Sequence, residues 1–340
     1  MWFNPSVSDP SADTPARAPQ NSPRSRLVPW LIAAVARVVA VGFVVLALDD
    51  DDATETAAAG TPPLFVDETS EAGVEHVYAG DFEFFVGGGV AVFDCDDDGR
   101  PELYFAGGTE PAALYRNASS VGGPLRFEQE EATVTDLVSV TGAYPLDLDS
   151  DGTVDLAVLR RGENVLLRGL GGCRFEPAND ALGVDGGDQW TTAFSASWEG
   201  TNRLPTLAFG NYLVPDETVC DESHLVRPSA TGDAYEPPVS LRPGYCTLSV
   251  LFSDWSRSGR RDLRITNDRH YYRDGSEQLW SIVPGEAPRL YTEADGWRPL
   301  QVWGMGIASQ DLTGDGLPEV FLTSQGDNKL QTLEPDSAAP

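Results

Sequence analysis

The chain has 340 residues, with 53 acidic against 23 basic side chains and a formal charge of −30 at pH 7. That balance excludes a nucleic-acid partner, because neutralising phosphates needs clustered Lys and Arg, and the only lysine is Lys329. Eight Trp, 14 Phe and 10 Tyr exclude global disorder, while 34 Gly and 25 Pro suit many turns between short strands.

Residues 1–26 are rich in Ser, Pro, Asp and Ala without hydrophobic period and read as a disordered cytoplasmic tail. Leu27 to Leu48 is almost wholly apolar and, at ~1.5 Å per residue, about one bilayer core long. Arg17, Arg24 and Arg26 precede it and Asp49 to Asp52 follow it, so the positive-inside rule puts the bulk of the chain outside the cytoplasm. Arg37 lies mid-span, at a cost of roughly 2.5–3.5 kcal/mol that the surrounding Val, Leu and Ile offset. The segment is expected to be a transmembrane anchor or a signal peptide, with anchoring favoured because the run is longer than ordinary signal cores. The alternative is a buried helix of a soluble protein, although neither flank looks globular. Residues 49–62 form a linker, and 63–340 the folded domain.

That domain repeats itself. VAVFDCDDDGRPELYFAGG begins at Val90, AYPLDLDSDGTVDLAVLRRG at Ala143, SVLFSDWSRSGRRDLRITND at Ser249 and GIASQDLTGDGLPEVFLTSQ at Gly306. A degraded copy, FSASWEGTNRLPTLAFGNY, begins at Phe194. Counting loop position 1 as Asp94, Asp147, Trp198, Asp254 and Asp311, the steps are 53, 51, 56 and 57 residues, the length of a four-stranded propeller blade. In each unit one strand enters the loop and a second leaves it. A third follows from Ala113, Val165, Gln278 and Lys329, and a fourth from Arg126, Arg174 and Arg289. The fold class is therefore all-β, a β-propeller with five visible blade units that is either complete or part of a larger ring. LFVDETSEAGV from Leu64 resembles the fourth-strand segment RFEPANDALGV from Arg174, and would allow the ring to close by completing the last blade.

The loops carry the chemistry. Asp94, Asp96 and Asp98 supply carboxylates at positions 1, 3 and 5, Gly99 allows the turn, Arg100 offers a carbonyl and Glu102 adds a ligand at position 9. Asp147, Asp149, Asp151, Gly152, Thr153 and Asp155 repeat the pattern, as do Asp311, Thr313, Asp315, Gly316, Leu317 and Glu319. Such oxygen-rich loops suit Ca²⁺, and without a cation the carboxylates repel. They are not EF-hands, because Phe105, Val158 and Leu322 stand where a bidentate Glu is due and strands follow. The alternative is a solvated acidic turn. The fourth loop (Asp254, Ser256, Ser258, Asp262) has lost charge and is an ambiguous site, while the third, with Trp198, Gly200 and Asn202, is expected to hold no metal.

Four cysteines contain no C-x-x-C pair. Cys220 and Cys246 flank a long Pro-rich loop, Val219 to Tyr245, and are the favoured disulfide; pairing of Cys95 with Cys173 is left open.

The loops resemble those of the FG-GAP/VCBS repeat proteins, whose blades form the integrin α-subunit head. GGGVAVFDCDDDG from Gly87, GYCTLSVLFSDW from Gly244 and WGMGIASQDLTGDG from Trp303 are similar to the CRTAC1-like (ASPIC/UnbV-associated) group. The resemblance implies a secreted or surface-anchored calcium-binding propeller. The leading function is a non-enzymatic recognition or adhesion module for a protein or glycan; alternatives are a polysaccharide lyase or hydrolase and an envelope scaffold. His76, His224 and His270 are scattered, and nucleophile, zinc and P-loop motifs are missing. Asp268, Arg269, His270, Tyr271 and Tyr272 form one polar-aromatic cluster that reads either as a pocket lining or as a blade-edge loop.

Overall fold

The computed structural model describes residues 63–131, 134–215, 218–268 and 275–333. The tail, the Leu27–Leu48 span, the linker and the Arg269–Tyr272 part of the polar-aromatic cluster lie outside these residues. Among the described residues no helix is long and apolar enough to cross a membrane. The chain divides after Val66, and every sheet lies in the second unit.

Short apolar runs between Gly, Pro and Asp turns become antiparallel meanders. The first sheet is β1 (Val90–Phe93), β2 (Glu102–Phe105), β3 (Ala113–Asn117) and β4 (Phe127–Gln129), and the second is β5 (Val140–Leu146), β6 (Asp155–Arg160), β7 (Val165–Gly169) and β8 (Phe175–Pro177). A one-turn helix, α1 (Asn179–Leu182), leads to the third sheet, β9 (Thr191–Ser197), β10 (Thr206–Asn211), β11 (Ser223–Val226) and β12 (Val239–Leu241). The fourth is β13 (Thr247–Ser253), β14 (Asp262–Asn267), β15 (Gln278–Ser281) and β16 (Arg289–Leu290), and the fifth β17 (Gly304–Gln310), β18 (Glu319–Ser324) and β19 (Lys329–Gln331). First strands pack in succession, β1 on β5, β5 on β9, β9 on β13 and β13 on β17. Their entrances, at Gly88, Thr141, Thr192, Leu248 and Met305, border one shared cavity of about 490 Å³. This is the layout of propeller blades.

Two expectations change. The stretch Val219 to Tyr245 is no mere loop: it contains β11 and β12, two short strands hidden among prolines. The fifth sheet keeps three strands, and Leu64, Phe65 and Val66 are exposed coil, so the described residues contain no closing strand. The likeness of the Leu64 and Arg174 segments is nevertheless real in the turns that follow. Ala72 N donates to Glu68 O, Gly73 N to Ser70 O and Val74 N to Thr69 O, as Leu182, Gly183 and Val184 do to Ala178, Asp180 and Asn179.

Successive sheets are glued by apolar clusters. Tyr104 and Leu114 meet Leu156 and Val158; Leu148 and Leu159 meet Leu207 and Phe209; Ala208 and Leu225 meet Leu263 and Ile265. At the end of the series the equivalent row has no following sheet, and Phe321 is 39% and its cross-strand neighbour Leu330 56% exposed. Loop position 2 is a plug in this scheme. Leu148 is 1% exposed beneath the third sheet, whereas Leu312, at the same position of the last loop, is 64% exposed. Leu148→Ala is thus expected to cost ~2–5 kcal/mol in chemical denaturation and Leu312→Ala under ~0.5 kcal/mol; equal losses would refute the plug.

At the first loop the plug is covalent. Cys95 at position 2 is bonded to Cys173 in the β7–β8 turn of the second sheet. Cys220–Cys246, the favoured pair, is also bonded.

Candidate metal centre

Each acidic loop joins the first two strands of its sheet, so the strand pair sets the positions of its ends: Phe93 pairs with Glu102 and Leu146 with Asp155. Position 1 shapes the turn. The Asp94 carboxylate accepts from the N–H groups of Asp98 (3.2 Å) and Gly99 (2.8 Å), and Asp147 from those of Asp151 and Gly152 (both 3.0 Å). Asp254 and Asp311 do the same with Ser258 and Gly259, and with Gly314 and Gly316. The turn needs two left-handed residues. Gly99, Gly152, Gly259 and Gly316 have φ between 79° and 93°; position 4 is also left-handed, at Asp97, Ser150, Arg257 and Gly314. That second requirement left no mark in residue type.

Position 9 is a buried pin. The Asp155 carboxylate accepts from Leu148 N at 2.6 Å and Gly169 N at 2.7 Å, tying loop to third strand; Glu102 does so with Cys95 N and Asn117 N, and Glu319 accepts from Leu312 N. The converging carboxylates are those of positions 1, 3 and 9. The ligand atoms of Asp94, Asp96 and Glu102 lie within 4.8 Å of one another, as do those of Asp147, Asp149 and Asp155. The position-5 acids turn aside: Asp98 accepts from the Arg100 N–H and pairs with its guanidinium, and Asp151 accepts from Thr153 N and lies 3.5 Å from Arg168. In the fifth loop Thr313 replaces the position-3 acid, and Asp311, Asp315 and Glu319 do not form such a group.

The fit to a cation rests on two orphaned atoms. Asp96 Oδ1 and Asp149 Oδ1, equivalent atoms in the first two loops, are buried without a hydrogen-bond partner. A buried acceptor left unpaired is costly, and a hard cation seeking carboxylate oxygens is its natural partner. Asp94, Asp96 and Glu102, and Asp147, Asp149 and Asp155, are therefore the residues that would hold Ca²⁺.

Burial raises the carboxyl of Glu102 and pushes that of Asp155 up to about 6, against the pull of its two backbone donors. A raised acid favours the folded state in its protonated form, so Asp155's contribution is present below its unfolded value near 4 and lost as pH rises through about 6. In EGTA, therefore, the parent should gain about 2 °C or more on going from pH 7 to pH 5 relative to an Asp155→Asn variant, a comparison that cancels the opposite contribution of the buried His224. Calcium needs the ionised form, so the stabilisation it brings should shrink as pH falls from 7 to 5. The same pH dependence in the parent and in Asp155→Asn would contradict this.

The fourth loop sets a guanidinium, that of Arg260, against its position-9 acid. Asp262 accepts from Ile282 N (3.0 Å), Trp255 Nε1 (2.9 Å) and Tyr291 Oη (3.0 Å), and Arg260 lies at 3.1 and 3.2 Å. Ser256 and Ser258 bond each other at 3.1 Å. In the third loop Thr206 holds position 9 and donates to Glu199, itself paired with Arg227 at 2.8 Å. Of the histidines, His76 stacks on Phe105 and contacts Ala106 O, while burial lowers His224. Asp268 accepts from Tyr212 Oη at 2.9 Å in a buried contact, a structural bond rather than an open pocket.

A family model described as FG-GAP-like repeat matches residues 94–158. The chain carries an FG-GAP-like repeat. The FG-GAP match begins at Asp94 and ends within β6, so it contains both convergent clusters. No curated protein matches the chain significantly. Among solved structures, an Agrocybe aegerita lectin described as recognising non-reducing terminal N-acetylglucosamine is 14% identical, with a TM-score of 0.42 over 75% of this chain and 68% of that one. A BBS1N chain solved in complex with ARL6DN is 10% identical, with a TM-score of 0.37 over 71% and 78%.

Proposed function

We infer that this chain is an exported, calcium-binding propeller-like module for recognition or adhesion, with a protein or glycan as ligand. The observation that carries the calcium reading is the pair of orphaned oxygens, Asp96 Oδ1 and Asp149 Oδ1, each inside a three-carboxylate cluster at the same loop position. Both disulfides being closed, with no free cysteine, supports export, since such bonds persist in oxidising compartments. In this reading Leu27–Leu48 is the anchor or signal that directs the domain outward, and the likeness to the CRTAC1-like group belongs to the same proposal. Calcium stiffens the loops between first and second strands so that their rims present a fixed surface.

The deciding experiment displays the exported domain to a glycan array and to an extracellular protein extract, with 2 mM (about millimolar) Ca²⁺ or EGTA. Calcium-dependent capture of a defined glycan or protein is the expected result. Turnover of a polysaccharide without retained binding would replace recognition by the enzymatic alternative, and export is checked by a reporter fused after Pro63.

A further inference from the structure

The two degraded loops each send an arginine into a neighbouring acidic loop. In the third loop Arg203 stands at position 6, where the other four loops have the turn glycine. Its Nε donates to Asp149 O at 2.5 Å, its Nη2 lies 3.3 Å from Asp149 Oδ2, and Ser150 Oγ donates back to Arg203 O at 2.8 Å. The fourth loop's Arg257 reaches the fifth loop, 3.6 Å from Asp311 Oδ2. Among the described residues the first loop receives no such residue from another loop: Asp96 Oδ2 meets Arg116 of its own third strand at 3.2 Å. Its equivalent, Arg168, lies 3.1 Å from Asp149 Oδ2. The second loop therefore carries the same local arginine as the first and one more besides. Asp149 is nine-tenths buried, with one oxygen between two guanidiniums and the other unpartnered inside its cluster.

We propose that Arg203 is a built-in competitor for the cation of the second acidic loop, so that the first and second loops, nearly identical in acids, bind calcium with different strength. This rests on the calcium reading above. The guanidinium neutralises part of the charge that would attract the ion, and it repels an ion seated against Asp149. Loss of acids from the third loop and its acquisition of Arg203 are thus one change with two consequences: the loop gives up its own cation and lowers its neighbour's affinity. Arg257 stands in the same relation to Asp311 at a longer distance.

The test is calorimetric titration of the full chain with calcium. In an Asp96→Asn background, which silences the first loop while leaving the Asp94 turn in place, the remaining strong site is the second loop. Adding Arg203→Gln, or Arg203→Met as a neutral variant of similar length, should tighten that site roughly three- to tenfold. Arg203→Lys, which keeps the charge, should stay near the parent. In EGTA the neutral variants should melt lower than the parent, yet gain more from calcium. Unchanged or weaker binding in both neutral variants overturns the inference, as does tightening in Arg203→Lys equal to theirs. Absence of calcium binding in the unaltered chain overturns the calcium reading itself, which separates the two failures.

Discussion

Chelation with EGTA is expected to lower the melting temperature of the chain by roughly 10 °C, and millimolar Ca²⁺ to restore it. A ligand that binds only the folded state adds about 2.7 kcal/mol per site at a hundredfold excess over its dissociation constant, and two clusters meet the requirements of such a site. In a domain of this size each kcal/mol moves the melting point by ~2–4 °C. The effect is amplified because each loop is more than a rim. Its position-9 acid ties position 2 to the third strand, and position 2 of the second loop is the Leu148 plug beneath the next sheet. Ordering the loop therefore stiffens the junction between sheets. Scanning calorimetry in EGTA and in calcium reads this directly, and an Asp96→Asn, Asp149→Asn double variant should lose the difference. A melting point indifferent to EGTA would remove calcium from the account.

Asp262→Ala is expected to cost ~3–5 kcal/mol, the same with and without calcium. Asp262 is buried at 2% exposure, yet it sits in the loop that has Ser256 and Ser258 at positions 3 and 5 in place of acids. It gathers Ile282 N, Trp255, Tyr291 and the Arg260 fork, so its removal strands several donors and one guanidinium together. The loss is electrostatic and packing-based with no ion involved, whereas a loss at Asp149 should depend on calcium. Urea denaturation at both calcium levels distinguishes them. A cost below ~1 kcal/mol, or one that changes with calcium, would show that the fourth loop still works as a metal site.

Much of this architecture was legible in the residues because the acidic turn is a demanding structure. Position 1 must accept two backbone N–H groups, position 6 must be left-handed and position 9 must reach back to position 2, so Asp, Gly and Asp or Glu recur where geometry compels them. The strands around each loop followed from the same alignment. Other features left no such trace. Position 4 is left-handed in four loops but is filled by Asp97, Ser150, Arg257 and Gly314, side chains that share nothing. The outer strands of the third sheet, Ser223–Val226 and Val239–Leu241, are short and lie among prolines, so their pairing comes from the neighbouring strand rather than from their own pattern. Arg203, within the degraded third copy, carried no signal of its own, since its role depends on the separation of two loops, which spacing along the chain does not encode. The Leu64 segment misled in a subtler way: its turn matches the one after β8 bond for bond, but that match does not supply the partner strand.

The Cys95–Cys173 bond also determines how the domain would carry a mechanical load. Tension applied through the two ends of the chain passes across this bond and bypasses everything between its cysteines, 78 residues apart in sequence. At ~3.4 Å per extended residue, roughly 270 Å of contour stays hidden from the pull. Both three-carboxylate clusters depend on residues inside that shielded stretch, from Asp96 to Asp155. The fifth sheet, with three strands and no covalent tie, has no such protection. Under force the chain would lengthen from its unbridged segments while the second loop, wholly inside the bridge, kept its shape.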